Sequence, residues 1–404
     1  MVTNKEQNKL NVPHLRFPEF HGEWCVSTIG EQFDLYSGNT PSRLNKEHFE
    51  GNVNWITSGE LKEHYISDTK EKISEDAATA NNLKLLHPGT FVIAIYGLEA
   101  DGVRGTGSIT CKESTISQAC MAFTQKGDVK NEFLYSWYKK HGNIIGIKYA
   151  QGTKQQNLSY DILEKFHIAY PSQDEQDKLI KFISLLDERI ASQSKLIEKL
   201  ESLIKGINQR VFMNSGNNYK LGEICEIRSG YSGSQLLSKK GLKVSRIETI
   251  SGHKVNMERV GYVAPFESSE NYRLRVGDIL FSNINSVEYI GNTAFIDKDY
   301  DLYHGMNLLR LTPNHIVVIP FYLYLLLNTN RMLNRFKAVC NKAVSQASIN
   351  QTELGKTVVQ IPPINTQEQI CELYQALYTK LETESHTKSL FQNQKQYMLR
   401  QMFI

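Results

Sequence analysis

The sequence predicts an α+β fold made twice: two duplicated α+β domains, each followed by a long helix, with the two helices pairing as an antiparallel coiled coil. Two observations carry this. The first is a repeat. Thr28-Ile29-Gly30-Glu31 with Ser37-Gly38 returns as Lys220-Leu221-Gly222-Glu223 with Ser229-Gly230, a shift of 192 residues. Leu86-His87-Pro88-Gly89-Thr90-Phe91 returns as Arg275-Val276-Gly277-Asp278-Ile279-Leu280, and Phe133-Leu134-Tyr135 as Phe321-Tyr322-Leu323. Gln155-Gln156-Asn157-Leu158-Ser159 returns as Gln346-Ala347-Ser348-Ile349-Asn350 at a shift of 191, and Leu163, Lys165 and Pro171 match Leu354, Lys356 and Pro362 at the same shift. So long a period means a duplicated domain and not a solenoid of short repeats.

The second observation is an apolar stripe over Gln173–Phe212. Leu179, Leu186, Gln193, Leu200 and Ile207 form one heptad column; Ile183, Ile190, Ile197, Ile204 and Val211 form another; Phe182, Arg189, Leu196, Leu203 and Arg210 form a third. The other face carries Lys178, Lys181, Glu188, Lys195, Glu198 and Lys199. This is an amphipathic helix of about 40 residues, roughly 60 Å at about 1.5 Å per residue. It needs a partner of similar length.

These marks divide the chain into a globule at 1–171, a helix at 172–213, a second globule at 214–362 and a second helix at 363–404. In the first globule, Thr90–Tyr96 reads as a strand, turns follow around Gly102, Gly105 and Gly107, and a helix is predicted near Glu132–Lys140. In the second, Asp278–Asn283 and Asn292–Ile296 play the parts of that strand and those turns, and Pro320–Asn328 that of the helix. Each globule is expected to pack a helix on a mainly antiparallel sheet. Pro171 and Pro362-Pro363 suit the junctions into the long helices, and Asn214–Asn218 reads as a linker.

The second long helix, Thr366–Phe403, has a weaker stripe. Ile370, Leu373, Tyr374, Leu377, Leu381, Phe391, Met398 and Met402 are interrupted by Glu384, Thr387, Lys388, Gln394 and Lys395. Antiparallel pairing would bury both stripes and set the globules at opposite ends. Leu179, Ile183, Leu186, Ile190, Ile197, Leu200, Ile204 and Ile207 would then meet Ile370, Leu373, Leu377, Leu381, Phe391 and Met398, with surplus apolar surface left for another subunit. The competing arrangement is two surface helices, each packed on its own globule.

Composition excludes several classes. The net charge is +3 over 404 residues, so a nucleic-acid surface must be a local patch and not a global polycation. No run of eighteen apolar residues predicts a membrane span, and the polar N-terminus lacks a signal peptide's apolar core. Cys25, Cys111, Cys120, Cys225, Cys340 and Cys371 are scattered without a CxxC pair, as expected of reduced thiols in a cytosol. There is no phosphate-binding GxxxxGK[ST] loop, and Gly105-Thr106-Gly107 lacks the third glycine of GxGxxG. No histidine spacing suits zinc, Ile361-Pro362-Pro363-Ile364 lacks the polar and aromatic ends of an adenine methyltransferase element, and no GxSxG elbow occurs. Asp174/Glu175 and Asp187/Glu188 read as solvated acids on the helix's polar face. No catalytic residue and no metal ligand is predicted.

What remains is a set of amide-rich loops beside basic and aromatic residues, recurring in both halves. The first half offers Asn39, Thr40, Ser42, Arg43, Ser58, Tyr96, Arg104, Lys154, Gln155, Gln156 and Asn157. The second offers Tyr231, Ser232, Arg246, Asn283, Asn285, Lys342, Ser345 and Gln346. Asn, Gln and Arg can pair with base edges, while Ser, Thr and Lys are common phosphate contacts. Any one such loop also fits an ordinary exposed turn; recurrence favours recognition.

The whole chain resembles the specificity subunit of a type I restriction–modification system. The matching marks are Pro13-His14-Leu15-Arg16-Phe17-Pro18-Glu19-Phe20 with Gly22-Glu23-Trp24, the repeated Gly-Glu and Ser-Gly entries, Gln155–Ser159, and Pro171 with Glu175-Gln176. One departure stands out: the second copy reads Thr366-Gln367 where the first has Glu175-Gln176. The resemblance implies two target-recognition domains that each read half of a bipartite, asymmetric site on double-stranded DNA. It implies helices that fix the gap and dock two modification subunits, which methylate adenine with S-adenosylmethionine. Restriction subunits using ATP and Mg2+ complete the complex, the chain itself being non-catalytic, free of cofactor and bacterial. The rival reading is a coiled-coil adaptor with two protein-binding globules and no DNA specificity.

Overall fold

The computed structural model describes residues 11–100, 102–152, 156–212, 216–342 and 346–404. Contacts divide it into two compact units, one of residues 1–194 with 386–404 and one of residues 195–385. Each is described by itself.

The first unit begins with β1 (Cys25–Thr28), α1 (Ile29–Gln32) and β2 (Phe33–Ser37). The repeated Gly-Glu entry is a helix start: Thr28 Oγ1 accepts from Glu31 N–H, and Glu31 Oε2 accepts from Thr28 N–H at 2.9 Å. Next come β3 (Val53–Ile56), β4 (Tyr65–Ile66), β5 (Lys72–Ile73) and α2 (Glu75–Ala80). They are followed by β6 (Phe91–Ala94), β7 (Gly107–Thr110), β8 (Ser114–Ile116) and β9 (Cys120–Gln125). The unit continues through α3 (Asn131–Tyr149), α4 (Tyr160–Leu163), β10 (His167–Tyr170) and the first half of α5 (Gln173–Val211). The main sheet has order β2-β9-β6-β7-β4, with β5-β3-β8 and β1-β10 beside it. Among the described residues of this unit only β3–β8 and β4–β7 pair in parallel. α3 lays Phe133, Leu134, Trp137 and Tyr138 over the sheet in one core with Phe91, Ile93 and Phe123.

The second unit repeats this plan with β11 (Asn217–Lys220), α6 (Leu221–Ile224), β12 (Cys225–Ser229), β13 (Leu242–Val244), β14 (Gly261–Val263), β15 (Ile279–Ser282), β16 (Ile284–Asn285), β17 (Thr293–Phe295) and β18 (Leu308–Pro313). After them stand α7 (Pro320–Leu327), α8 (Asn330–Val339), β19 (Asn341–Lys342), β20 (Ala347–Ser348), α9 (Gln351–Gly355), β21 (Val358–Ile361) and the start of α10 (Ile364–Met402). Its sheet order β12-β18-β15-β17 reproduces β2-β9-β6-β7, and β11-β21 reproduces β1-β10. The repeated Ser-Gly marks a close approach. A Cβ on Gly38 would lie 1.9 Å from Ile116 O, and one on Gly230 1.9 Å from Gly305 O.

Several expectations are corrected. Gly107 opens a strand, and Asn217 and Asn218 of the expected linker belong to β11. α3 runs to Tyr149, nine residues beyond the expected end, whereas its counterpart breaks into α7 and α8 because Thr329 Oγ1 caps a new helix at Met332 N–H. Glu175 is not solvated: it is buried in a two-bond ion pair with Arg16, at 2.8 and 2.7 Å. Asp187 is also half-buried, bonded to Lys395 Nζ at 2.5 Å and 3.3 Å from His64 Nδ1.

Each unit by itself packs a segment of α5 against a segment of α10. In the first, Asp187 meets Lys395 and the Arg189 guanidinium lies 5.0 Å over the Phe391 ring, so the segments run antiparallel. Leu179, Ile183 and Leu186 share the core of α3 with Leu399, Met402 and Phe403, so they face the globule as much as the second helix. In the second unit Ile204 is buried with Ile370, Cys371 and Tyr374, and Asn208 bonds the Tyr374 hydroxyl. Ile190, Ile197, Leu200, Ile207, Leu377, Leu381, Phe391 and Met398 are half-buried. Leu373, expected in the helix pair, is 42% exposed, and Leu196 and Leu203 also face solvent.

Candidate nucleic-acid interface

Strand register determines where the candidate loops lie. In the first unit Ser37 pairs with Met121, Ala94 with Cys120 and Ile93 with Gly107. Ser117 N–H reaches Ile56 O at 2.9 Å. The last residues of β2 and β6 and the first of β7 and β9 therefore lie at one end of the main sheet, and the last residues of β3 and β8 in the neighbouring sheet adjoin it through Ser117. All described candidates of this unit leave that end: Asn39, Thr40, Ser42 and Arg43 after β2, Ser58 after β3, Tyr96 after β6, Arg104 before β7. Gln156 and Asn157 join them, because Leu98 N–H donates to Gln156 O at 3.1 Å and Leu158 N–H to Ile95 O at 2.9 Å. Lys154 and Gln155 lie outside the described residues.

The second unit does the same. Ser229 pairs with Leu309, Ser282 with Leu308 and Phe281 with Thr293. Tyr231 and Ser232 follow β12, and Asn283 and Asn285 follow β15. Ser245 and Arg246 join this edge through Ser245 N–H to Tyr303 O and Gly305 N–H to Ser245 Oγ, at 2.8 and 3.0 Å. Lys342 and Gln346 arrive through the β16-β20-β19 ladder. Ser345 lies outside the described residues.

The long helices start at the opposite end, through one device used twice. Gln176 is fully buried; its Nε2 donates to Pro171 O at 3.0 Å and Asp128 O at 3.1 Å, and its Oε1 accepts from Lys130 N–H at 3.0 Å. Gln367 donates to Pro362 O at 2.8 Å and Val317 O at 3.1 Å, and accepts from Ile319 N–H at 2.8 Å. Residues 128–130 follow β9 and residues 317–319 follow β18, each beyond the strand end away from the loops.

Not every candidate side chain is available to a ligand. Arg43 holds Glu71 through two bonds of 2.8 Å and lies 5.0 Å over Phe49, an exposed pair that a phosphate would have to displace. Asn39 caps its own turn through Thr40 N–H, and its carbonyl accepts from Trp55 Nε1 at 3.2 Å. Arg104 donates to Gln156 Oε1 at 2.9 Å, while Gln156 N–H donates to Glu99, whose carboxyl is held below its ordinary range by that bond. Arg246 pairs with Glu248 at 3.4 Å, and Tyr231 stacks on Phe266 with centroids 3.9 Å apart. Ser42, Tyr96, Ser232, Lys342 and Gln346 are exposed. Asn157 Oδ1 and Asn283 Oδ1 are buried without a partner among the described residues. Such an acceptor is costly until a donor reaches it. Arg228 and Arg310, beside the second set of loops, carry no sequence signal; only strand register brings them together.

The family model described as the type I restriction modification DNA specificity domain matches this chain twice, over residues 21–202 and 215–390. The chain belongs to that family. It is 38% identical over 188 residues to the MjaX type I restriction enzyme specificity subunit of Methanocaldococcus jannaschii, an alignment covering 46% of this chain and 44% of that protein. It is thus matched to less than half the length of that relative. The MjaVIII specificity subunit of the same organism is 22% identical over 98% of this chain and 95% of its own length. Among solved structures, the type I restriction–modification S subunit from M. genitalium superposes with a TM-score of 0.58 at 18% identity, covering 97% of this chain and 99% of that one. This DNA specificity family member therefore carries two specificity domains, one in each unit. Among its described residues no helix is long and apolar enough to cross a membrane.

Proposed function

We propose that this chain is the DNA-reading subunit of a type I restriction–modification complex, each unit reading one half of a bipartite, asymmetric site on double-stranded DNA. The observation that carries the reading is the placement of the loops. In both units the amide-rich loops leave one end of the sheet and the long helix leaves the other, so a globule can meet a major groove while its helix stays clear. The major groove carries a distinct donor–acceptor pattern for each base pair. The exposed Tyr96, Ser42, Ser232, Lys342 and Gln346 are the first candidates for contact with bases and phosphates.

The paired helices serve as spacer and docking surface. Two modification subunits would bind there and methylate adenine with S-adenosylmethionine, and restriction subunits would supply ATP- and Mg2+-dependent translocation and cleavage. This chain contributes recognition and no reacting group, in the cytoplasm of its host. The exposed Leu196 and Leu203 on α5 and Leu373 on α10 suit a subunit contact.

The test is an exchange of residues 20–160 for those of a relative with a different target, in the assembled complex, followed by genome-wide methylation mapping. One half of the recognised sequence should change and the other half and the gap should stay. A change in both halves would refute the two-reader proposal.

A further inference from the structure

β12 and β18 are neighbouring antiparallel strands, and their register sets Arg228 directly opposite Arg310. Like charges facing each other across a strand pair repel. Arg228 is exposed and shares its charge with Glu226 at 2.6 Å. Arg310 has no such relief. It is only 8% exposed, and no carboxylate among the described residues forms an ion pair with it. One Nη donates to Arg273 O at 3.2 Å, the other to Asn271 O at 3.3 Å, and Nε has no partner among the described residues. Two neutral carbonyls satisfy donors but do not neutralise a buried guanidinium, which is costly without a counter-charge.

The second observation is the space beside it. Arg310 and Arg228 line a cleft of about 450 Å³ together with Ser229, Ser268, Asn271 and Gln351, and no acidic side chain lines it. Arg228 and Arg310 also line the adjoining groove, where Glu226, Glu270 and Asp278 stand with Arg273 and Arg275; the cleft is the acid-free side of the pair. The acid-free cleft adjoins the reading end: Ser229 is the last residue of β12, and two residues later Tyr231 N–H donates to the carbonyl of His304, another lining residue, at 2.9 Å.

We propose that Arg228 and Arg310 form a phosphodiester-binding site for duplex DNA, present in the second unit only. The guanidinium fork matches phosphate oxygens geometrically, and the cleft's hydroxyls and amides can take the remaining bonds. A phosphate there supplies the counter-charge Arg310 lacks and fixes the register of the adjacent loop on the duplex. In the first unit the same register positions hold Tyr36 opposite Ala122, and the Tyr36 hydroxyl accepts from Lys84 N–H at 2.9 Å. Neither of these two positions carries a cation. The inference rests on the DNA-reading function proposed above. Its bland competitor is that Arg310 merely staples the 271–273 segment to the sheet.

The test measures duplex binding by the full-length chain, assembled with its modification subunits, against salt concentration for wild type, Arg228→Gln and Arg310→Met. Phosphate contacts ignore sequence, so unrelated duplexes serve as probe. Each lost contact should lower the log–log salt slope by about 0.9, so the wild type's advantage should shrink about 3.5-fold between 50 and 200 mM salt. Inorganic phosphate should raise the thermal midpoint of the wild type and not of Arg310→Met. Unchanged slopes in folded variants overturn the site and leave the staple. If phosphate stabilises the wild type but both slopes stay put, the cleft is a free-anion site and the DNA assignment is wrong. Should Arg310→Met fail to fold, Arg228→Gln, on the exposed rim, decides alone by the same slope. A wild type whose duplex affinity ignores salt would instead sink the DNA-reading function itself.

Discussion

Replacing Gln176 by Leu keeps the volume at the helix junction and removes all three of its hydrogen bonds. Asp128 O retains a bond from Gln173, but Lys130 N–H and Pro171 O are left buried without their partner. At about 1–3 kcal/mol for each orphaned group, the first unit should lose on the order of 3 kcal/mol. Gln367→Leu orphans Ile319 N–H, Val317 O and Pro362 O, so the second unit should lose somewhat more, about 4 kcal/mol. A chain with two units need not unfold in one step, so the readout is hydrogen exchange at two reporter amides. Leu134 N–H bonds Lys130 O in the first turn of α3, and Leu323 N–H bonds Ile319 O in the first turn of α7, each at 3.0 Å. Gln176→Leu should speed exchange at Leu134 by about two decades, at roughly 1.4 kcal/mol per decade, and leave Leu323 unchanged. Gln367→Leu should do the reverse. Acceleration of less than tenfold at the matching reporter would show that the glutamines are not what fastens helix to globule.

Three further outcomes follow from the same contacts. Arg16→Met strands the buried Glu175 carboxylate and should cost the first unit about 3 kcal/mol, whereas Arg16→Met with Glu175→Gln should recover part of that loss; denaturant titration of both variants checks the pair. His64 stacks between Tyr65 and Tyr135 at 4.1 and 4.0 Å; burial opposes its charge, but Asp187 and Glu132 outweigh burial and raise its pKa above the ordinary 6.5. Stability from the charged ring is fully present below that ordinary value and is lost as pH rises through the raised one. The gap in midpoint between wild type and His64→Phe should therefore narrow from pH 6 to pH 8, and a flat gap would count against it. The pKa of Asp187 is lowered, so its own contribution is lost only at acid pH, outside this window. Finally, seven residues inserted after Lys195 and again after Ser385 lengthen both helices by about 10.5 Å, which should widen the gap between half-sites by about three base pairs on methylation maps; an unchanged gap would discard the spacer role.

Local periodicity and the repeat were legible because each is written in neighbouring residues. The heptad columns and prolines locate both long helices to within two residues of their observed starts, and the repeated Gly-Glu and Ser-Gly marks prove to be a helix start and a close backbone approach. The departure at Thr366 also acquires a reason. Glu175 needs Arg16 from the segment preceding β1, whereas only five residues separate α5 from β11, a stretch without an arginine to bring to Thr366. What could not be read was pairing at a distance. Nothing near Arg43 in sequence shows that Glu71 holds it, and Asp187 looks solvated until His64 and Lys395 reach it. Arg228 and Arg310 stand 82 positions apart, and nothing short of strand register makes them neighbours.

The two junction glutamines have a consequence for how such chains diversify. Every partner of Gln176 and of Gln367 is a main-chain atom: a carbonyl before the long helix, and a carbonyl and an N–H past the end of a strand. This clamp is therefore blind to side chains, although the first joint also uses the Arg16–Glu175 pair and the apolar contacts of Leu179, Ile183 and Leu186 with the globule. A foreign globule that brings its backbone to the same place would keep this clamp whatever its loops contain, so the loops can vary without loosening it.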